Sequence, residues 1–157
     1  MRHAKSSWKS GAPSDHARPL NGRGKKAAPR VASELAARGW IPDHVISSDS
    51  ARTRQTWERM RDGLGFEGAV RFTRDLYHAG ITELLALSEQ LDDTHGCLLL
   101  LGHNPGWEDA VAWLTAQPSE MKTGCAALLS IDAPSWEHAF GARGDWQLVH
   151  MIRPREL

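Results

Sequence analysis

Three short stretches of the 157-residue sequence carry residue types suited to an anion site. Arg2-His3 places an imidazole beside a permanent cation, Arg52 falls in the first turn of a helix predicted to begin at Ser50, and His103 follows a run of leucines. Free backbone amides and the helix dipole at a helix start already favour an anion. Each stretch alone also suits a structural role: a surface pair, an arginine making surface ion pairs, or a histidine helping to cap the next helix.

The elements predicted around these residues bring the three stretches to one edge of a sheet. Alternating strands and helices indicate an α/β fold, a three-layer α/β/α arrangement with a mainly parallel sheet and an antiparallel edge strand. Ligands of such sheets bind at the carboxyl ends of the strands. We expect a single domain over residues 1–157. Strands are predicted at 44–47, 70–73, 97–101, 125–131 and 146–152. Helices are predicted over 28–36, from Ser50, over 81–91 and from Asn104-Pro105. The first helix should end near Gly39, and Pro29 should lie near its first turn or at a kink.

The charge balance excludes some classes of function. Lys+Arg and Asp+Glu both number 19, so wholesale binding to nucleic acid or to a membrane surface has no electrostatic basis. The first thirty positions are nonetheless basic, with Asp15 as their one acid, which fits either a solvated face or a local anion site. Cys97 and Cys125 lack disulfide-framework or zinc spacing, which favours reduced thiols and a cytoplasmic protein.

An ordered set of motifs along nearly the whole chain resembles the histidine phosphatase superfamily, and within it the SixA-type phosphohistidine phosphatases. Each motif is short, but their order is specific. The motifs are Arg2-His3-Ala4-Lys5-Ser6-Ser7-Trp8, Asp15-His16-Ala17-Arg18-Pro19-Leu20-Asn21, Arg23-Gly24, Ser47-Ser48 through Arg52 to Gln55-Thr56, and Gly102-His103-Asn104-Pro105.

The resemblance implies a role for each of four residues. His3 matches the family nucleophile, which becomes transiently phosphorylated. Arg2 and Arg52 match the pair that clamps the phosphoryl oxygens, and His103 matches the histidine that donates a hydrogen bond to the transferring group. Phosphoryl transfer needs mainly alignment and charge stabilisation, so these residues suffice without a metal or cofactor.

Three further residues are expected at the phosphate or substrate with less support. Arg18 lies in a loop that borders the pocket of SixA-like relatives, and an alternative role for it is to anchor Asp15 through a salt bridge that stiffens the loop. Ser6 and Asn104 belong to the motifs that carry His3 and His103.

The sequence departs from the family pattern at two points. The acid that larger members carry near residues 76–78 has no clear counterpart: Asp75 is early, Glu83 falls in the next helix, and His78 suits a surface position. An imidazole leaving group, with a pKa of about 6.5, needs little protonation, so this absence favours a phosphohistidine substrate. The apolar strand that should precede Arg2 is also missing.

These observations predict a metal-independent phosphatase acting on a phosphohistidine-bearing protein. The alternatives are a phosphatase of small phosphate esters and a catalytically weak phospho-binding module. A metallohydrolase is disfavoured because the eight histidines show no metal-ligand spacing. The oligomeric state is not predicted.

Overall fold

Two sheets with the N-terminus between them form the centre of the protein, in a computed structural model that describes residues 1–157 throughout. The first sheet is parallel with strand order β2-β1-β3, and the second is the antiparallel pair β4-β5. The elements are α1 Gly22–Ala37, β1 His44–Ser48, α2 Ala51–Leu64, β2 Val70–Thr73, a 3₁₀ turn Arg74–Leu76, α3 Ile81–Ser88, β3 Leu98–Leu101, α4 Gly106–Thr115, β4 Ala126–Ser130, α5 Trp136–Gly141 and β5 Gln147–Ile152.

Successive strand residues face two separate apolar cores, as the pleat of a strand requires. On β1, Val45 joins the core beneath α1 and α2, whereas Ile46 joins the core beneath α3, α4 and α5. On β5, Ile152 joins the first of these cores and Met151 joins the second. Helices therefore cover both faces, which confirms the predicted three-layer α/β fold with its antiparallel pair.

No strand precedes α1, and the first three residues occupy the break between the two sheets. Arg2 forms a parallel bridge with Gly102, and its backbone N–H donates to the carbonyl of Cys125 (3.0 Å). The Met1 ammonium donates to the carbonyl of Leu100 (2.7 Å). Beyond Met1, the facing edges of β3 and β4 line an apolar cavity of about 170 Å³. A three-residue segment thus anchors His3 to both sheets at once.

The observed helices differ from the predicted ones in three places. Helix α1 begins at Gly22, earlier than expected, because the Asn21 side chain accepts from the Gly24 N–H as an N-cap, and Pro29 lies inside the helix. Pro105 precedes α4 instead of occupying its first turn. Helix α5 lies in the connection between the last two strands, where no helix was predicted. No helix combines the length and apolar composition needed to cross a bilayer.

Candidate active site

Three local structures bring His3, Arg52 and His103 together at the carboxyl edge of the parallel sheet. The backbone N–H of His3 donates to the carbonyl of Gly102 (3.0 Å), and the next N–H, of Ala4, donates to Thr56 Oγ1 (3.0 Å). Arg52 lies in the first turn of α2, directly after β1. His103 follows β3, the strand beside β1.

Arg52 connects the two histidines directly. Its Nε–H donates to His3 Nε2 and its Nη2 donates to His103 Nδ1, both at 3.2 Å. The imidazole centroids are 5.1 Å apart and the rings are tilted by 53°. All three residues are at least 95% buried. The site is therefore a compact, largely dehydrated cluster of two imidazoles and one guanidinium.

The hydrogen bonds assign a tautomer to each imidazole. A carbonyl oxygen can only accept, so the 2.7 Å contact with the Ala4 carbonyl places the proton of His3 on Nδ1. Nε2 of His3 therefore carries the free lone pair. For His103 the arginine donor faces Nδ1, so Nε2 carries the proton and donates to Ser48 Oγ (2.9 Å).

Asp15 binds the guanidinium of Arg52 and also that of Arg18. Arg52 donates through Nη1 to the Asp15 carbonyl (2.6 Å) and through Nη2 to Oδ2 (3.0 Å). Arg18 donates from Nη2 to Oδ1 (2.9 Å), and the Tyr77 hydroxyl donates to Oδ2 (2.7 Å). The Asp15–Arg18 salt bridge expected from the sequence is present, and Asp15 also orients the guanidinium of Arg52.

Burial and charge set the protonation states of these groups. Burial, then the charges of Arg52 and Arg2, lower the pKa of His3 to about 3. Burial and the neighbouring His3 and Arg52 lower the pKa of His103 to about 2. Burial alone would raise the pKa of Asp15, but hydrogen bonds from Tyr77 and Arg18 and the adjacent charges hold it well below its usual range. At neutral pH both imidazoles are neutral and Asp15 is ionised.

These shifts predict that the free energy of unfolding falls as pH decreases from 8 to 5. Burial lowers the pKa of the Met1 ammonium from 8.0 to about 5, and the pKa values of His3 and His103 are lowered from 6.5. Each group binds its proton more readily in the unfolded chain, so acid favours unfolding below these reference values. One pKa unit corresponds to about 1.4 kcal/mol, so we expect a decrease of several kcal/mol.

Urea unfolding followed by tryptophan fluorescence at pH 8, 6.5 and 5 would measure this decrease. The N-terminally acetylated chain is the control, because it lacks the Met1 ammonium and should lose most of the change between pH 8 and 6.5. A free energy of unfolding that stays constant or rises toward pH 5 would contradict the proposed burial of these groups.

The other residues predicted for the site lie around the cluster. The Arg2 guanidinium makes no hydrogen bond to His3; its Nη1 donates to the Met121 carbonyl (2.8 Å), which also accepts from Asn104 Nδ2 (2.9 Å). Arg2 Nε and Asn104 Oδ1 are buried without partners. Ser6 is buried, and its Oγ accepts from Arg18 Nη1.

The two carboxylates considered as general acids make local hydrogen bonds, and the third candidate, His78, has no carboxylate. Asp75 Oδ2 accepts from the Thr73 hydroxyl (2.7 Å), and Glu83 Oε2 accepts from the Gly80 N–H (2.7 Å) at the start of α3. The ring centroid of His78 lies 6.4 Å from that of His103. No three His, Cys, Asp or Glu side chains converge as ligands for a metal ion.

Comparison with known proteins decides the family of this chain. Residues 1–91 match the histidine phosphatase superfamily (branch 1). An uncharacterized chloroplastic protein of Arabidopsis thaliana is 34% identical over 166 residues, covering 98% of this chain and 76% of the relative. The chain belongs to the histidine phosphatase superfamily. This membership supports phosphatase function and confirms the resemblance found in the sequence motifs.

Solved structures of this superfamily place the chain near its SixA branch. A protein from Agrobacterium tumefaciens that carries the name SixA is 26% identical, with a TM-score of 0.80 over 98% of this chain and 95% of the other. A SixA protein from Nakamurella multipartitia is 29% identical, with a TM-score of 0.75 over 98% of this chain and 93% of the other. The histidine phosphatase fold is therefore shared along the entire chain.

Three residues of the observed cluster have contacts that the sequence analysis did not predict: Asp15, which was expected to pair with Arg18 alone, Tyr77 and Ser48. The bonds from Arg52 to Asp15 join residues 37 positions apart, and the bond from Tyr77 to Asp15 joins residues 62 positions apart. The stretch around Tyr77 had been marked only as the place of a missing acid. Ser48, the partner of His103, was part of a motif, and its position at a strand end was the available signal.

Proposed function

We propose that this chain is a metal-independent phosphatase that transfers the phosphoryl group of a phosphohistidine-bearing protein to Nε2 of His3 and then to water. The observation that carries the proposal is the hydrogen bond from His3 Nδ1 to the Ala4 carbonyl. It leaves one nucleophilic atom, which points at the guanidinium of Arg52. A buried neutral imidazole aimed at a fixed cation suits attack on a phosphoryl group held by that cation.

In the first step, the lone pair of His3 Nε2 forms a bond to phosphorus while the bond from phosphorus to the substrate's leaving atom breaks. When the phosphoryl group binds, the Nε–H and Nη2–H donors of Arg52, still held by Asp15, exchange the two imidazole nitrogens for phosphoryl oxygens, which carry the charge of the transition state. Once Arg52 no longer donates to it, His103 Nδ1 takes up a proton from solvent and donates a hydrogen bond through it to a phosphoryl oxygen, and it returns this proton to solvent when phosphate leaves. Arg2 and Arg18 add positive charge from outside the cluster.

In the second step, water attacks phosphorus in line with the bond to His3 Nε2. That bond breaks, inorganic phosphate leaves, and neutral His3 is restored. The Nδ1–H···O=C bond to Ala4 holds the ring through both steps, so the same nitrogen serves as nucleophile and leaving group.

The protonation state of Asp15 supports phosphohistidine as the substrate. Asp15 is the carboxylate bonded to the Arg52 cluster, and its hydrogen bonds keep it ionised, which makes it a poor proton donor. An alkoxide leaving group needs a strong donor, whereas imidazole leaves readily when its second nitrogen carries a proton. The site thus offers charge stabilisation without strong acid catalysis.

The test is to measure phosphate release with chelator present. The substrates are a protein phosphorylated on histidine with phosphoramidate, and p-nitrophenyl phosphate. We expect a kcat/KM at least about 10²-fold higher for the phosphohistidine protein, the size of a typical general-acid contribution. Loss of activity on adding chelator, or a preference for the ester, would contradict the proposal; a phosphorylated chain that never releases phosphate would indicate a binding module.

A further inference from the structure

A second cavity, of about 370 Å³, opens beside the site and is lined almost entirely by polar and charged side chains. We call it the basic pocket, after its five cations. The start of β4 lies beside the end of β5 because Ala126 pairs with Ile152. The segment before β4 and the segment after β5 form walls of the cavity. The cations are Arg2, Lys5, Lys122, Arg153 and Arg155.

The basic pocket shares a wall with the nucleophile. The Gly124 N–H donates to the carbonyl of His3 (2.9 Å), and Arg2 and Lys5, on either side of His3 in sequence, both line the cavity. Two residues of extended chain span at most about 7 Å, so Lys5 lies close to His3. A group in the basic pocket could therefore belong to the molecule whose phosphoryl group is at His3.

The basic pocket holds an excess of positive charge that the rest of the chain does not share. Two carboxylates line it against five cations, a surplus of three in a chain of zero formal net charge. Glu120 lies 3.3 Å from Lys122, and Glu156 lies 3.9 Å from Arg153, and all four side chains are about half exposed or more. Such pairs are weak, so these cations remain available to a ligand.

We propose that the basic pocket binds a second anionic group, a carboxylate or a phosphate, carried by the substrate. This inference rests on the proposed phosphatase function and extends it to substrate selection. Lys5 and Arg155 have no carboxylate within ion-pairing distance. The anion can be an acidic side chain near a phosphohistidine or the second phosphate of a small ester.

The test combines charge reversal in the basic pocket with matched substrates. The variant is Lys122→Glu with Arg155→Glu, and the control is Arg59→Glu with Arg61→Glu, an equal charge change on exposed residues of α2. One arm compares phosphohistidine peptides flanked by glutamate or by glutamine. The other compares fructose 1,6-bisphosphate with fructose 6-phosphate, and p-nitrophenyl phosphate reports the basal activity.

We expect the pocket variant to lose about tenfold in kcat/KM, mainly through KM, for the doubly anionic member of at least one pair. Activity toward the glutamine peptide, fructose 6-phosphate and p-nitrophenyl phosphate should stay within about twofold. The arm that responds identifies the source of the anion. Equal losses on every substrate, or no loss on either pair, would overturn the inference.

Binding measurements separate this inference from the proposed function. Calorimetric titration of the His3→Ala variant needs no turnover. Adding the pocket substitutions to His3→Ala should weaken its binding of the glutamate peptide or of the bisphosphate. If the wild type releases no phosphate but this difference persists, the proposed function fails and the basic pocket stands. If p-nitrophenyl phosphate is hydrolysed and no difference appears, only the basic pocket fails.

Discussion

Replacing His3 with alanine should lower phosphate release from every substrate by at least about 10⁴-fold, the order of loss expected when an enzyme's nucleophile is removed. The lone pairs of His3 Nε2 and His103 Nδ1 both accept from Arg52, and the Arg2-His3 motif is what assigns the role of nucleophile to His3. With His3 absent, no second imidazole has a free nitrogen in the same place. Rates measured at saturating substrate would report the loss.

The proposed intermediate gives a second readout for the same variant. Phosphorus bound to imidazole nitrogen is labile in acid and stable in base, so brief incubation with ³²P-labelled substrate should leave acid-labile label on wild type and none on His3→Ala. His150→Ala is the matched control, because His150 is exposed on β5. A His3→Ala chain that keeps more than about 1% of the rate, or that still takes up label, would assign the nucleophile elsewhere.

The alanine variant should remain folded. The His3 ring makes one hydrogen bond to backbone, to the adjacent Ala4 carbonyl, and its burial as a titratable group opposes folding at low pH. The backbone bonds of His3 to Gly102 and Gly124 do not depend on the side chain. Thermal unfolding can therefore separate lost chemistry from lost structure.

Features of the site that rest on local sequence could be predicted. Ser50 has the side chain of an N-cap and accepts from the Thr53 N–H, so the start of α2 and the position of Arg52 followed from a few neighbouring residues. The leucine run of β3 and the turn that follows it likewise place His103 at a strand end. Because the carboxyl ends of parallel strands meet at one edge of a sheet, these positions predict that Arg52 and His103 lie at the same edge.

Features that depend on distant residues could not be predicted in this way. The bond from Tyr77 to Asp15 joins a loop before α1 to a loop after β2, and no local pattern encodes it. The break between the sheets depends on how Met1 and Arg2 pair with β3 and β4. Helix α5 spans six residues and is stabilised by tertiary packing, with Phe140 against Trp146, because a helix that short has little stability alone.

Replacing Arg52 with lysine should reduce kcat by about 10²- to 10³-fold, the usual loss when one preorganised donor to a transition state is removed. The substitution keeps the positive charge, but the guanidinium uses three nitrogens at once: Nε on His3, Nη2 on His103 and Asp15, and Nη1 on the Asp15 carbonyl. An ammonium has one nitrogen and cannot span these positions. Arg52→Lys thus separates donor geometry from net charge.

The matched control for this substitution is Arg54→Lys, on the same helix. Arg54 donates from Nε to the Asp49 carbonyl (2.9 Å) and stacks over Phe72 (4.1 Å), away from both histidines, so kcat should change by less than about twofold. If the fork geometry is what matters, guanidinium ion added to Arg52→Ala should restore part of the lost rate, and added ammonium should not. Full activity of Arg52→Lys would show that charge alone suffices, and the bonds that Asp15 makes to orient Arg52 would then have no catalytic purpose.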